Sequence, residues 1–158
     1  MSAGAGVSAG TSLPVDVHLV MWRFDGSLLL TRSTEPDAPW RLPWGSLRTG
    51  ETGREAVLRI ADDTVSVTTM MAHVWLAHVA HHHFPGQGER LGLFFRLTHW
   101  RGLPAPGRDG RARRLAWHHV DSLPDALARL DLEAIERWKV DGFYSEPGWQ
   151  DERVEAAS

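Results

Sequence analysis

The stretch that most constrains this chain is residues 42–67, LPWGSLRTGETGREAVLRIADDTVSV, a glycine-rich loop that runs into one amphipathic helix. Thr49 or Thr52 can cap the helix, and Glu51 and Glu55 place acid in its favourable first turn. The helix is expected from about Thr52 to Asp63, and the β-branched run TVSVTT over residues 64–69 ends it. At about 100° per residue, Ile60, Asp63 and Thr64 share a sector roughly 100° wide. Glu51, Glu55, Arg59 and Asp62 lie on the adjoining sector, with Glu55, Arg59 and Asp63 forming an i, i+4, i+8 ladder.

Elements of a mixed fold surround this stretch. Residues 15–23 (VDVHLVMWR) and 27–32 (SLLLTR) are apolar and β-prone, and Asp25-Gly26 between them predicts a hairpin. Residues 70–82 and 90–99 read as two long strands around a Pro85-Gly86-Gln87-Gly88 turn, with no clean polar alternation, as in a sheet covered on both faces. Residues 115–120 form a short strand, and Leu123-Pro124 opens a C-terminal helical region. The order of strands, one loop-helix, more strands and a last helix is an α+β pattern.

Length and composition narrow the possibilities. With 158 residues the chain is one domain, expected over residues 15–149, between a small-residue leader (1–14) and a flexible acidic tail (150–158). Its formal net charge of -3 gives no pull toward nucleic acid or anionic membranes. The absence of cysteine excludes disulfides, thiolate nucleophiles and Cys-ligated metal centres. No apolar run approaches the roughly 20 residues of a membrane span, and the leader lacks the pattern of a signal peptide, so the chain reads as cytoplasmic.

The loop-helix resembles the Nudix box, G-x5-E-x7-R-E-U-x-E-E-x-G-U with U aliphatic, the signature of the Nudix hydrolases. Gly45, Glu51 and Arg59 fall on it at the right spacing, Leu42-Pro43 precede it, and Gly50-Glu51-Thr52 match its common G-E-T step. Across residues 15–149 the chain is also similar to a group of small bacterial Nudix proteins. The matching residues are His78, His81 and His82; Phe94 and Phe95; Trp100, Gly102 and Pro104; Leu115 and Trp117; and Gly148-Trp149. The resemblance implies a mixed β-sheet sandwiched between helices. It also implies phosphoanhydride hydrolysis by divalent metal ions, Mg2+ or Mn2+, held by three glutamates on one helix face.

That charged face departs from the signature. The resemblance puts its metal ligands at Ile60, Asp63 and Thr64, where only Asp63 is a carboxylate, and Ser66 replaces the glycine. Glu51 and Arg59 are the residues the family uses largely to lock the loop onto the helix. In the late loop, Arg108 and Arg114 occupy positions that are acidic in the typical pattern, which suits direct binding of an anion better than holding a metal.

These residues support three functions. In the first, the cleft performs metal-independent acid-base chemistry on a small molecule, with Asp63, Glu55, Arg59 and His78 as catalytic candidates. Trp44, Trp40, Arg108 and Arg114 are then the candidates for substrate binding. The second is a metal-dependent pyrophosphohydrolase of a nucleoside diphosphate-type substrate, with Asp63, Asp62, Glu55 and Glu51 around Mg2+ or Mn2+. The third is a non-catalytic small-molecule-binding domain. Trp44 stands beside Gly45 where the family usually has a small residue, and it suits an apolar or planar ligand better than a hydrated metal-phosphate complex; the partner expected is a small-molecule substrate, phosphorylated or planar. No nucleic acid or membrane partner is expected, and a homodimer remains open. Most of the nine histidines read as structural.

Overall fold

The computed structural model describes residues 9–149; the expected tail at 150–158 and most of the expected leader lie outside them. Seven strands and two helices alternate along the chain. They are β1 (Val15–Met21), β2 (Ser27–Arg32), β3 (Trp44–Ser46), α1 (Gly53–Val65), β4 (Val74–Phe84), β5 (Gly88–Leu97), β6 (Arg114–His119), α2 (Arg129–Lys139) and β7 (Tyr144–Ser145). A five-stranded mixed sheet has the order β3-β1-β5-β4-β7, with β1–β5 and β4–β7 parallel. A second sheet pairs β2 with β6.

The α+β expectation holds, with the sheet flanked by two helices. Side chains of β1 alternate between two cores. Val17, Leu19 and Met21 pack with Phe95, Leu97 and the buried face of α1, whereas Val20 joins Phe94, Ala80 and the α2 residues Ala134 and Ile135. Each such aliphatic contributes roughly 1.5–3 kcal/mol by leaving water. Covering both faces removes the need for polar alternation, which explains the long apolar runs.

The expected hairpin between the first two strands is only half present. The turn forms, with the Gly26 amide donating to the Arg23 carbonyl at 3.0 Å, but a single bridge, Trp22 to Leu28, joins the arms. Both hydrogen-bonding edges of β1 are taken, by β3 and by β5, so β2 leaves and pairs with β6 in the other sheet. His73, expected on the long strand, lies instead in a 3-10 turn at Met71–His73 that precedes β4.

Helix α1 starts as a capping box. Thr52 accepts from the Glu55 amide at 3.2 Å and the Glu55 carboxylate accepts from the Thr52 amide at 3.4 Å. It ends at Ser66, whose φ of 60° is left-handed, so the position keeps the backbone for which the signature uses glycine. Segment 105–109 then satisfies the helix's free carbonyls. The amides of Ala105, Gly107 and Asp109 donate to Val65, Thr64 and Asp63 at 3.0, 2.9 and 3.1 Å. Gly107 permits this approach, since a Cβ there would stand 2.1 Å from the Asp63 carbonyl oxygen.

Candidate functional site

Docking segment 105–109 on α1 decides the fate of the face that carries the signature. Arg108 is laid across Asp62 and Asp63, its Nε donating to Asp63 at 2.8 Å and its Nη2 to Asp62. Thr64 donates to Asp109 at 2.5 Å. Ile60 is 1% exposed and packs in the core against Gly45, where a Cβ would meet its Cγ1 at 2.9 Å. Of the three positions where metal ligands are expected, one is core, one is a bonded hydroxyl and one is an arginine-paired carboxylate. Among the described residues, no three His, Cys, Asp or Glu side chains are grouped to hold a metal ion. The residues present do not fit the family's divalent cations.

Glu51 and Arg59 lock the loop to the helix. Arg59 donates to both Glu51 oxygens, at 3.1 and 2.6 Å, and to the Ser46 carbonyl at 2.8 Å, while Glu51 also accepts from the Arg48 amide at 2.9 Å. The Arg59 guanidinium holds the Glu51 carboxyl below its ordinary range, against the opposing effect of burial. Glu51→Ala is expected to lose about 1–2 kcal/mol, read as a lower thermal midpoint, because a bidentate bond and a loop amide lose their acceptor together.

The other sequence candidates are placed elsewhere. Glu55 serves the capping box. His78 is buried against β7, one ring nitrogen 2.8 Å from the Gly142 carbonyl and the other 2.7 Å from the Ser145 hydroxyl, so both are satisfied. Trp40 packs edge-on to His118, and Arg114 is exposed opposite Arg32 at the start of β6. Trp44 does face the cavities, but the Arg41 and Arg111 guanidiniums lie against its ring at 4.4 and 4.5 Å.

A cleft lies on the other side of the sheet, next to α2. It has a volume of about 620 Å³ and is lined by Asp16, His18, Arg41, Trp44, His82 and Arg90 among others. Asp16 and Arg90 form a two-point pair at 2.8 and 2.9 Å. Burial would raise the Asp16 carboxyl, but the bonds and charge of Arg90 outweigh it and the net shift is downward. His18 is sandwiched flat on Phe94, with ring centroids 4.3 Å apart, and its Nδ1 lies 3.6 Å from Asp131 of α2. The other Asp131 oxygen accepts from the Leu42 amide at 3.1 Å.

Both members of the His18–Asp131 pair are 1% exposed. Burial pushes the imidazole down to about 3 and the carboxyl up to about 6. At 3.6 Å the two make no full ion pair, and His18 is neutral at pH 7. A neutral ring that turns Nδ1–H toward the carboxylate leaves Nε2 as an acceptor. Among the described residues neither His18 nitrogen has a hydrogen-bond partner, and the same holds for His82, which burial pushes down to about 4. A buried imidazole with a carboxylate behind it and a free nitrogen beside a cleft can accept and return a proton.

The family model for the NUDIX domain matches residues 12–138. The chain belongs to the Nudix family. Solved structures with the same fold include a MutT Nudix hydrolase from Burkholderia pseudomallei, 24% identical, with 80% of this chain and 98% of that one covered and a TM-score of 0.70. The MutT protein from Methanosarcina mazei Go1 is 16% identical over 85% and 98% of the two chains, with a TM-score of 0.71. A MutT protein from Bacillus halodurans is 19% identical over 84% and 88%, with a TM-score of 0.68. No curated protein sequence matches the chain. Among the described residues, no helix is long and apolar enough to cross a membrane.

Within this Nudix frame, sequence reasoning misses Asp16, His18, Arg41 and Arg90 on the cleft, Arg111 on the cavity next to it and Asp131 behind His18. A signal existed for three of them. Asp16 and His18 stand at i, i+2 in the otherwise apolar strand VDVHLVM, so they share one face of a strand whose other face is core. Asp131 precedes the buried Ala134 and Ile135 by three and four residues, which puts a carboxylate on the inward stripe of α2. The arginines carry no comparable mark in a chain whose cations are nearly all arginine.

Proposed function

We propose that this Nudix domain is an enzyme that acts on a small molecule in the α2-side cleft, without a divalent metal, with His18 as its acid-base group. The observation that carries this reading is the buried imidazole of His18 on the cleft, with both nitrogens lacking hydrogen-bond partners among the described residues and Asp131 at 3.6 Å. Nε2 would take a proton from a ligand O–H, N–H or C–H group. Asp131 would stabilise the imidazolium, and the same proton would return to the product. His82 and the Asp16–Arg90 pair supply further polar contacts on the same cleft.

Burial, with the nearby Arg41 charge, makes His18 a weak base; in this reading the Asp131 carboxylate supports its protonation, so turnover is expected to fall below about pH 6, where that carboxyl takes up its proton. The direct test is to incubate the protein with pooled small metabolites in EDTA and follow loss and gain of masses. His18→Gln is expected to lower the EDTA-insensitive turnover by about 10²–10⁴-fold. Product formation only with Mg2+ or Mn2+ would instead support the pyrophosphohydrolase reading, and a retained, unchanged ligand would support a binding domain.

A further inference from the structure

A second cavity of about 500 Å³ opens beside the cleft, and the two share Pro39, Arg41 and Trp44. Its wall also carries Arg111 and the hydroxyl-bearing Thr31, Ser33 and Thr64. The Arg41 and Arg111 guanidiniums both lie against the one Trp44 ring. Neither makes a close ion pair with a carboxylate among the described residues, although the Arg41 charge is felt by the buried Asp131. Among the described residues the one side-chain hydrogen bond of Arg111 is a long one, 3.5 Å, to the Trp44 carbonyl. The Arg41 Nε is buried and has no hydrogen-bond partner among the described residues.

An arginine cannot lower its burden by losing its proton, and a buried, unpartnered N–H costs about 1–3 kcal/mol. Two other partly buried arginines have carboxylate partners, Arg59 with Glu51 and Arg90 with Asp16, whereas the Nε of Arg96, like that of Arg41, is buried without a hydrogen-bond partner among the described residues. A half-buried guanidinium and an exposed one, held on one indole beside an open cavity, make a place suited to an anion.

We infer that Arg41 and Arg111, braced on Trp44, bind a single compact acidic group, a carboxylate or a phosphate, of the molecule whose reacting end lies at His18. This rests on the reading of the α2-side cleft as the reaction site and adds the class of its substrate. Arg41 lines both cavities and joins them, so one ligand can span the two. Glu35 and Asp37 line the outer cavity as well, and their charge limits the ligand there to one acidic group and disfavours a polyanion. The arginines take over charge neutralisation beside Thr64, at the helix position where the signature would place a metal ligand.

The test is an NMR titration of the arginine Nε–Hε signals with inorganic phosphate and, separately, with acetate, at constant ionic strength set by chloride. Saturable shifts are expected at Arg41 and Arg111. Arg111→Gln should weaken binding at least about 10-fold, the loss of one charge-assisted contact. Arg23, which lies 4.3 Å over the Trp117 ring, controls for an ordinary arginine-indole contact, and Arg23→Gln should change nothing. Tighter binding of phosphate assigns a phosphorylated substrate, and tighter binding of acetate assigns a carboxylic acid. Shifts no larger than those from chloride, or equal weakening by Arg23→Gln, overturn the proposal. His18→Gln separates it from the reaction itself. Saturable anion binding with turnover indifferent to His18 sinks only the acid-base reading, whereas His18-dependent turnover without anion binding sinks only this one.

Discussion

Replacing Ile60 by glutamate, which restores the signature residue, is expected to destabilise the domain by about 4 kcal/mol or more and to create no metal site. Ile60 is 1% exposed among Val57, Ala61, Val65 and the β1 aliphatics, and Gly45 lies against its Cγ1. The substitution removes a branched side chain from that core and puts a carboxylate in its place with no cation to meet it. Rotation toward the surface is limited because Ala56 and Ala61 of the same helix are fully buried and fix its pose. Urea unfolding should show a lower midpoint, with fluorescence from the tryptophans as the probe. A Mn2+ titration of the same variant should remain featureless, because Asp62 and Asp63 stay bonded to Arg108 and Thr64 to Asp109. Near-normal stability with a saturable Mn2+ site would show that this face still opens to its ancestral use.

How legible this was from sequence depends on the residue. Gly45, Glu51, Arg59 and the Thr52 cap act within a local stretch of chain: of the two cap candidates Thr52 is the one used, and the Glu51–Arg59 lock that the resemblance implies is present. The hairpin failed because the partners of β1 are a competition among strands far apart in sequence, which β3 and β5 win over β2. Arg108 was read as free to bind an anion, but docking of residues 105–109 brings it to Asp62 and Asp63, a contact across 45 residues and more that no periodicity encodes. Arg111, three residues further on, is the arginine turned toward the cavity. His78 stood out because of the histidine-rich strand, yet Gly142 and Ser145 satisfy it. His18 drew no notice in a strand read only for its apolar content.

The neutral histidines of the cleft carry a second large consequence: stability should fall as the pH drops from 6.5 toward 4. The ordinary histidine value is 6.5, and in the fold His18 and His82 are pushed to about 3 and about 4. Between these values the unfolded chain binds more protons than the fold, so acid favours unfolding; the contribution is complete above 6.5 and is lost on the way down. His78, also lowered by burial, acts in the same direction. Asp131 opposes them. Its carboxyl rises from 3.8 to about 6, so the fold holds a proton there that the unfolded chain does not, and that contribution is present below 3.8 and lost as pH rises through 6. Two histidine shifts outweigh one carboxyl shift, and at about 1.4 kcal/mol per pH unit the net loss from pH 6.5 to 4 is roughly 3 kcal/mol. Urea unfolding at the two pH values measures it. His18→Gln should shrink the difference, and Asp131→Asn should enlarge it by removing the opposing group. A pH-independent midpoint over this range would mean that the imidazoles are hydrated and titrate normally, and the buried base assigned to the cleft would then lose its physical basis.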